Sequence, residues 1–195
     1  FSFGIPFFPA ALFFIIMEMA DRKILHLLTD VHEVGIYSVS YKLGSILLFI
    51  ITGFNLAWQP LFHKEQKNVN RVAIFSKINS QFILLLAFVG TLICIWMPYI
   101  VKIPIGGGNT LINEQFWDGI KIVPVILSSH ILYAGYIMQM PSLYDGKNQK
   151  WSPLLRGMGA TVNIGFNFLL IPVWGVWGAA FSTFIAYGLM FISLY

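Results

Sequence analysis

A few ionisable side chains interrupt apolar stretches of this sequence, and their spacing along a helix decides what chemistry they could do. Glu18 and Arg22 are four residues apart, so they share one helical face in the order that favours an ion pair. Asp21 lies on a neighbouring line of the same helix. We interpret these three residues either as a polar rim that ends a helix or as a gate and ion-pair patch at the outer mouth of a pathway.

Lys42 is an isolated charge in a long apolar run, seven residues after Gly35. At 1.5 Å per residue, that spacing is roughly 10 Å along a helix axis. A charge at such a depth costs several kcal/mol unless it has a partner or a solvated cavity. Either the Lys42 ammonium group reaches the outer headgroups, or it faces a water-filled cavity and attracts an anion.

A second polar stripe contains Arg156, Asn163 and Asn167, which are spaced by seven and then four residues. Amides between membrane helices commonly hold those helices together, at about 1 kcal/mol or less per hydrogen bond. Arg156 could mark the inner end of its helix or contact a phosphate. With Lys42 and Arg22, these three residues are our candidates for substrate binding in a cavity.

The composition predicts that most of this chain is solvated by lipid. Hydrophobic residues make up 57% of its 195 residues and charged residues 10%, whereas a soluble domain carries roughly 25% charged residues. No HExxH, Walker A, GxGxxG or GxSxG motif occurs, and no group of Cys and His has metal-ligand spacing. We therefore expect no catalysis, no cofactor and no metal. The net charge of +4 is scattered, so we expect no nucleic-acid partner.

Six apolar runs are long enough to cross a membrane, which takes about 20 residues of helix. They are about twice as long as the strands of a membrane barrel and their polarity does not alternate, so they are predicted to be helices. The chain is therefore expected to be an all-α, polytopic membrane bundle and a fragment of a longer protein. The predicted spans are residues 5–20, with helix that can continue toward Leu28, then 35–61, 75–103, 119–140, 152–171 and 176–195.

The connections between these spans predict the orientation of the chain. The stretches IGGGNT (105–110), YDGKNQ (144–149) and IPVWG (171–175) are typical of loops and breaks, and residues 62–75 could form an amphipathic helix on the membrane surface. Because basic residues favour the cytoplasmic side, both ends of the chain are predicted to be cytoplasmic. The cytoplasmic side would carry Lys64, Lys67, Arg71, Lys77, Lys147, Lys150 and Arg156, and the outer side Arg22, Lys23, Lys102 and Lys121.

Two segments resemble a known family, the polysaccharide flippases of the Wzx type. ADRKILHLLTDVHEVGIYSVSYKLG (20–44) resembles a segment in which an Asp-Arg pair closes one helix and G-x-Y-x-x-x-x-K opens the next. NIGFNFLLIPVWGVWGAAFSTFIAYG (163–188) is similar to the family pattern N-x-x-L-I-P-x-x-G-x-x-G-A-A. FNLAWQPLF (54–62) and FWDGIKIVPVIL (116–127) also fit, so the resemblance covers nearly the whole chain in order.

The resemblance implies a fold, a substrate and partners. The family belongs to the multidrug/oligosaccharidyl-lipid/polysaccharide exporter superfamily, whose members have about 12 to 14 helices in two related bundles. This chain would be the C-terminal bundle. Such a protein would carry undecaprenyl-pyrophosphate-linked oligosaccharide to the outer leaflet of a bacterial inner membrane. Its partners would be that substrate, membrane lipids and the polysaccharide polymerase machinery, and Lys42 and Arg156 would face its cavity.

Three alternatives stay open. A cation-coupled drug exporter of the MATE type would need an acidic proton or sodium site inside the bundle, and only Glu18 is placed for one. A membrane-embedded glycan polymerase or acyltransferase would usually expose a large catalytic loop. A membrane subunit without transport activity would need neither feature.

Overall fold

A computed structural model describes residues 7–144, 148 and 151–194. Within those ranges the expected all-α fold is confirmed, with one short hairpin added. The elements are α1 (Phe7–Leu28), α2 (Val31–Gly44), α3 (Ile46–Glu65), α4 (Arg71–Ile100), β1 (Pro104–Gly106), β2 (Asn109–Thr110), a first 3-10 helix (Glu114–Ile122), α5 (Val123–Gln139), a second 3-10 helix (Met140–Tyr144), α6 (Trp151–Trp174) and α7 (Val176–Ile192).

Within the described residues, four helical stretches are long and apolar enough to cross a membrane, namely Ile46–Glu65, Arg71–Ile100, Glu114–Leu143 and Trp151–Trp174. The chain is therefore an all-α membrane protein. α7 is apolar but has only 17 residues, and α1 carries Glu18, Asp21, Arg22 and Lys23 within its 22 residues. The six-span lobe stays a prediction beyond those four stretches.

The predicted second span is divided in two, which the apolar run 35–61 did not indicate. The break falls at Ser45, whose hydroxyl donates to the Tyr41 carbonyl at 2.6 Å. The Ser45 amide donates to the same carbonyl at 2.8 Å, and Leu48 N–H bonds the Ser45 carbonyl at 2.9 Å in a tighter turn. A serine that bonds back to the preceding turn competes with the helix ladder and bends it.

The predicted amphipathic helix over residues 62–75 is wrong. α3 continues to Glu65 and α4 begins at Arg71, so only a short turn separates them. Asn68 stabilises that turn, because its side-chain amide donates to Glu65 Oε2 at 2.8 Å. Arg71 closes it from the other end by donating to the Gln66 carbonyl at 2.9 Å.

α5 is the central helix, because it packs against α2, α3, α4 and α7 and most of its residues are buried. α6 lies between α1 and α7 and packs against both. The faces of α3 and α4 that point away from α5 are apolar and exposed, as expected for surfaces in lipid. Phe49 on α3 is 80% exposed and Leu84 on α4 is 69% exposed.

The break between α6 and α7 is set by glycine. The predicted break at 171–175 is narrower than expected, because α6 continues through Trp174 and only Gly175 leaves the helix, with φ +52°. Three residues later, a Cβ at Gly178 would come within 2.5 Å of the Leu170 carbonyl group. The small residues that begin α7 therefore let it approach the backbone of α6 closely.

The α1–α2 turn, the first 3-10 helix and the α6–α7 turn lie at one end of the bundle, since the 3-10 helix packs on both α2 and α7. There, a Cβ at Gly35 would come 2.9 Å from the Phe116 ring. The predicted loop 105–110 is a β-hairpin whose three glycines all have positive φ. Which end faces the cytoplasm stays a prediction. Lys147, Lys150, most of the predicted loop 144–149 and the outermost residues of the first and last predicted spans lie outside the described residues.

Candidate functional site

Asp21 of α1 is a buried acidic residue, with only 2% of its surface exposed. Four side chains from three other helices donate hydrogen bonds to its carboxylate. They are Asn163 Nδ2 at 2.9 Å and Asn167 Nδ2 at 2.7 Å to Oδ1, and Tyr37 OH at 2.6 Å and Thr183 Oγ1 at 2.7 Å to Oδ2. One carboxylate thereby joins α1 to α2, α6 and α7.

The two asparagines lie inside the protein, with no exposed surface. The i, i+4 spacing that placed them on one stripe directs both amides toward α1, and Asn167 also donates to Asn163 Oδ1 at 3.1 Å. Asn167 Oδ1 is buried without a hydrogen-bond partner. These amides surround the Asp21 carboxylate within the bundle and give that buried polar group close hydrogen-bond donors. Their proposed role toward a substrate stays a prediction.

Glu18 lies one turn before Asp21 on α1 and is held by phenol groups. Its Oε1 accepts hydrogen bonds from Tyr41 OH at 2.6 Å and Tyr187 OH at 2.8 Å. The expected pairing of Glu18 with Arg22 is replaced by these bonds, and the Arg22 guanidinium lies 5.0 Å from the Tyr41 ring centroid. Among the residues that the structure describes, the one close ion pair joins Lys121 to Asp118 at 2.9 Å.

We call these groups the carboxylate cluster. Its members are Glu18, Asp21, Tyr37, Tyr41, Asn163, Asn167, Thr183 and Tyr187. His130 of α5 lies beside it, fully buried, with ring centroids 5.7 Å from Tyr41 and 6.4 Å from Tyr187.

The sequence reasoning missed the roles of Tyr41, Thr183 and Tyr187, although a signal for them was present. α2 contributes Tyr37 and Tyr41, which are four residues apart, and α7 contributes Thr183 and Tyr187 at the same spacing. This repeats the asparagine spacing of α6. Three helices with paired polar groups at i, i+4 would each present one polar stripe toward a neighbour.

The cationic candidates occupy separate places. Lys42 is exposed on α2, and because it follows Tyr41 it points about 100° away from the cluster. Arg156 of α6 lies against α1, where its Nη1 donates to the Ala10 carbonyl at 3.4 Å and its guanidinium lies 5.8 Å from the Phe14 ring centroid. The structure brings together Asp21, Asn163 and Asn167, with Glu18 one turn before Asp21 and the Arg22 guanidinium over the Tyr41 ring.

The cluster is suited to a negative charge, because four donors converge on the Asp21 carboxyl oxygens and hydrogen bonds to a charged acceptor are stronger than neutral ones. Carboxylate, amide and hydroxyl oxygens are also the ligands that hard cations prefer, so Asp21, Asn163, Asn167 and Thr183 are the residues that could hold one. In the present arrangement all four of the groups around Asp21 are donors. In the described part of the chain, no three His, Cys, Asp or Glu side chains group closely enough to hold a metal ion.

Comparison of the chain with models of protein families, with curated proteins and with solved structures found no match. The fold and the site define an all-α membrane protein with a buried carboxylate cluster.

Proposed function

We propose that this chain forms one helical bundle of a flippase that carries undecaprenyl-pyrophosphate-linked oligosaccharide from the inner to the outer leaflet of a bacterial inner membrane. One observation carries the proposal. The two segments that resemble the family, 20–44 and 163–188, meet at the carboxylate cluster, where Asp21 of the first accepts hydrogen bonds from Asn163, Asn167 and Thr183 of the second. Asp21, Tyr37 and Asn167, which occupy positions of the patterns that resemble the family, are thus among the residues that bond in space.

The physical chemistry of the cluster supports a transporter. Ionisable groups within membrane bundles are costly and commonly mark transport pathways or coupling sites. Asp21 ties four helices into one unit, which suits a bundle that rocks as a rigid body against a second bundle. Lys42 is exposed in an otherwise apolar run, and a cationic side chain facing a solvated chamber would replace water around a pyrophosphate.

The substrate would be tested by reconstituting the full-length transporter in vesicles with a fluorescent lipid-linked oligosaccharide and measuring its movement between leaflets. We expect Lys42→Ala and Arg156→Ala to abolish movement and glycan export in cells at unchanged protein level. Lys67→Ala, in the exposed turn after α3, is the matched control and should transport normally. Absence of movement with the unaltered protein would contradict the proposed function, and normal export by either variant would remove that residue from the pathway.

A cation-coupled drug exporter of the MATE type is the second candidate. The observation that favours it is the pair of carboxylates, Glu18 and Asp21, held inside the bundle by hydrogen bonds. It predicts efflux of a cationic dye driven by a sodium or proton gradient and lost in Asp21→Asn. The flippase proposal predicts no dye efflux, so the two assays on one preparation separate the candidates.

A further inference from the structure

A cleft of 650 Å³ opens at the end of the bundle where the α1–α2 turn, the first 3-10 helix and the α6–α7 turn meet. Sites for small ligands commonly enclose roughly 300 to 1,000 Å³ and combine aromatic walls with a few polar groups. This cleft has both. The charged, imidazole and indole side chains that line it belong to His32, Glu33, Asp118, Lys121, Trp174 and Trp177.

The two tryptophans form an open aromatic shelf that extends beyond the cleft. Trp174 is 53% exposed and Trp177 is 38% exposed, and with Phe181 they line an adjoining recess of 300 Å³. The Phe181 ring centroid lies 5.8 Å from that of Trp174 and 6.2 Å from that of Trp177. Phe181 thus holds both indoles in place while part of each ring stays open to a ligand.

The opposite wall is polar and nearly balanced in charge. The Glu33 carboxylate lies against the α6–α7 turn, since its Oε2 would be 3.2 Å from a Cβ at Gly175. Asp118 and Lys121 form an exposed ion pair across one turn of the 3-10 helix. Carboxylates accept hydrogen bonds and an ammonium group donates them, so this wall offers both functions within reach of the indoles.

These features fit a saccharide better than other ligands. A pyranose ring presents an apolar C–H face that can stack on an indole, and hydroxyl groups at its edge that pair with carboxylates and ammonium groups. A pyrophosphate would be repelled by Glu33, since Lys121 is already paired with Asp118. An acyl chain would take water away from these charged groups without offering them a hydrogen bond. We propose that this cleft binds the oligosaccharide part of the substrate at that end of the bundle. The identity of the saccharide rests on the proposed function.

The test uses the purified full-length transporter in lipid nanodiscs. The probe is lipid-free oligosaccharide released by mild acid from the surface polysaccharide of the cells that make this protein, titrated by calorimetry. We expect saturable binding, weakened at least about tenfold by Trp174→Ala and largely restored by Trp174→Phe, since phenylalanine keeps a stacking face. Glu33→Gln should also weaken binding. Trp96→Ala, an exposed tryptophan on α4 outside the cleft, should bind as the unaltered protein does.

Several outcomes would overturn the inference. Absence of saturable binding by the unaltered protein is one. Equal loss in Trp96→Ala and Trp174→Ala would show that the tryptophans act only as membrane anchors. Binding of tetraphenylphosphonium that the saccharide does not displace, and that Trp174→Ala abolishes, would assign the shelf to organic cations. The thermal midpoint of each variant, measured in parallel, separates lost binding from lost folding, and Trp174→Phe keeps the test decisive if Trp174→Ala does not fold.

Failure of this inference and failure of the proposed function give different results. Movement of lipid-linked oligosaccharide between leaflets without saccharide binding in the cleft would overturn only the inference. Saccharide binding that depends on Trp174, in a protein that moves no lipid-linked substrate, would support the cleft and contradict the flippase.

Discussion

Replacing Asp21 should reveal how far one carboxylate holds the bundle together. Asp21→Leu removes the acceptor shared by four buried donors, from Tyr37, Asn163, Asn167 and Thr183. The two amides each keep one other acceptor, whereas the two hydroxyl groups lose theirs. Asp21→Asn keeps one oxygen for the two asparagine amides. Its new amide group can donate to the Tyr37 and Thr183 hydroxyls, which are able to accept as well as donate. Leucine and asparagine side chains branch at the same atom, so the main chemical difference between the two variants is hydrogen bonding, although leucine is the bulkier side chain.

The expected losses follow from the number of bonds. A buried donor left unpaired costs about 1 to 3 kcal/mol in soluble proteins, and a hydrogen bond between membrane helices averages about 0.6 kcal/mol. Four lost bonds thus give about 2.5 kcal/mol as a lower bound. The two hydroxyl groups that lose their acceptor would by themselves cost about 2 to 6 kcal/mol, so about 3 to 6 kcal/mol is the expected range for Asp21→Leu. Asp21→Asn loses only the charge assistance, so about 1 to 2 kcal/mol is expected.

The assay is unfolding of the purified protein by sodium dodecyl sulfate in mixed micelles, followed by tryptophan fluorescence. Asp118→Asn is the matched control, because the Asp118 side chain is 79% exposed and should leave the unfolding midpoint unchanged. Two results would refute the reasoning. One is an Asp21→Leu variant whose free energy of unfolding differs from that of the unaltered protein by less than about 1 kcal/mol, which is roughly the contribution of one neutral hydrogen bond. The other is an Asp21→Asn variant as destabilised as Asp21→Leu.

Three further predictions can be checked on the same preparations. Gly178→Ala should lower the free energy of unfolding by about 1 to 3 kcal/mol, because its Cβ would meet the Leu170 carbonyl group at 2.5 Å. Gly165→Ala, with nothing within 4 Å of its Cβ, should be neutral or stabilising, and equal losses in the two variants would contradict the packing account. Trp58→Phe should lower the free energy of unfolding by about 0.5 to 1.5 kcal/mol, because the indole N–H donates at 3.0 Å to a backbone carbonyl at the end of α5. An unchanged unfolding midpoint would show that this bond contributes nothing. Lys42→Ala should unfold like the unaltered protein, since Lys42 is exposed, and a lower midpoint would assign Lys42 a structural role.

The positions of the helices could largely be predicted from the sequence, because apolar runs of membrane length have few alternatives in lipid. The break at Ser45 could not. Hydropathy is averaged over a whole run, whereas this break depends on one hydroxyl that bonds the Tyr41 carbonyl. The prediction of a helix over 62–75 was wrong for a related reason, since amphipathic spacing does not reveal that Asn68 and Arg71 close a turn there.

The candidate site was predictable in part, through charges and amides that stand out in an apolar chain. Asp21, Asn163 and Asn167 were singled out in this way, but their partnership spans more than 140 residues and no local spacing predicts it. Local reasoning also pointed Glu18 toward Arg22, whereas the phenol groups of Tyr41 and Tyr187 reach it in the fold. Contacts between distant helices outweighed contacts within one helix.

The order in which the helices are synthesised determines when Asp21 can form its hydrogen bonds. α1 is synthesised before α6 and α7, since Asn163 follows Asp21 by 142 residues and Thr183 follows it by 162. At the ribosomal rate of about 5 to 20 residues per second, the carboxylate waits on the order of ten seconds for those partners. During that interval Tyr37 is its one cluster partner already synthesised, so a chain stalled before α6 would leave a charge poorly satisfied in the bilayer, open to chaperones and membrane proteases.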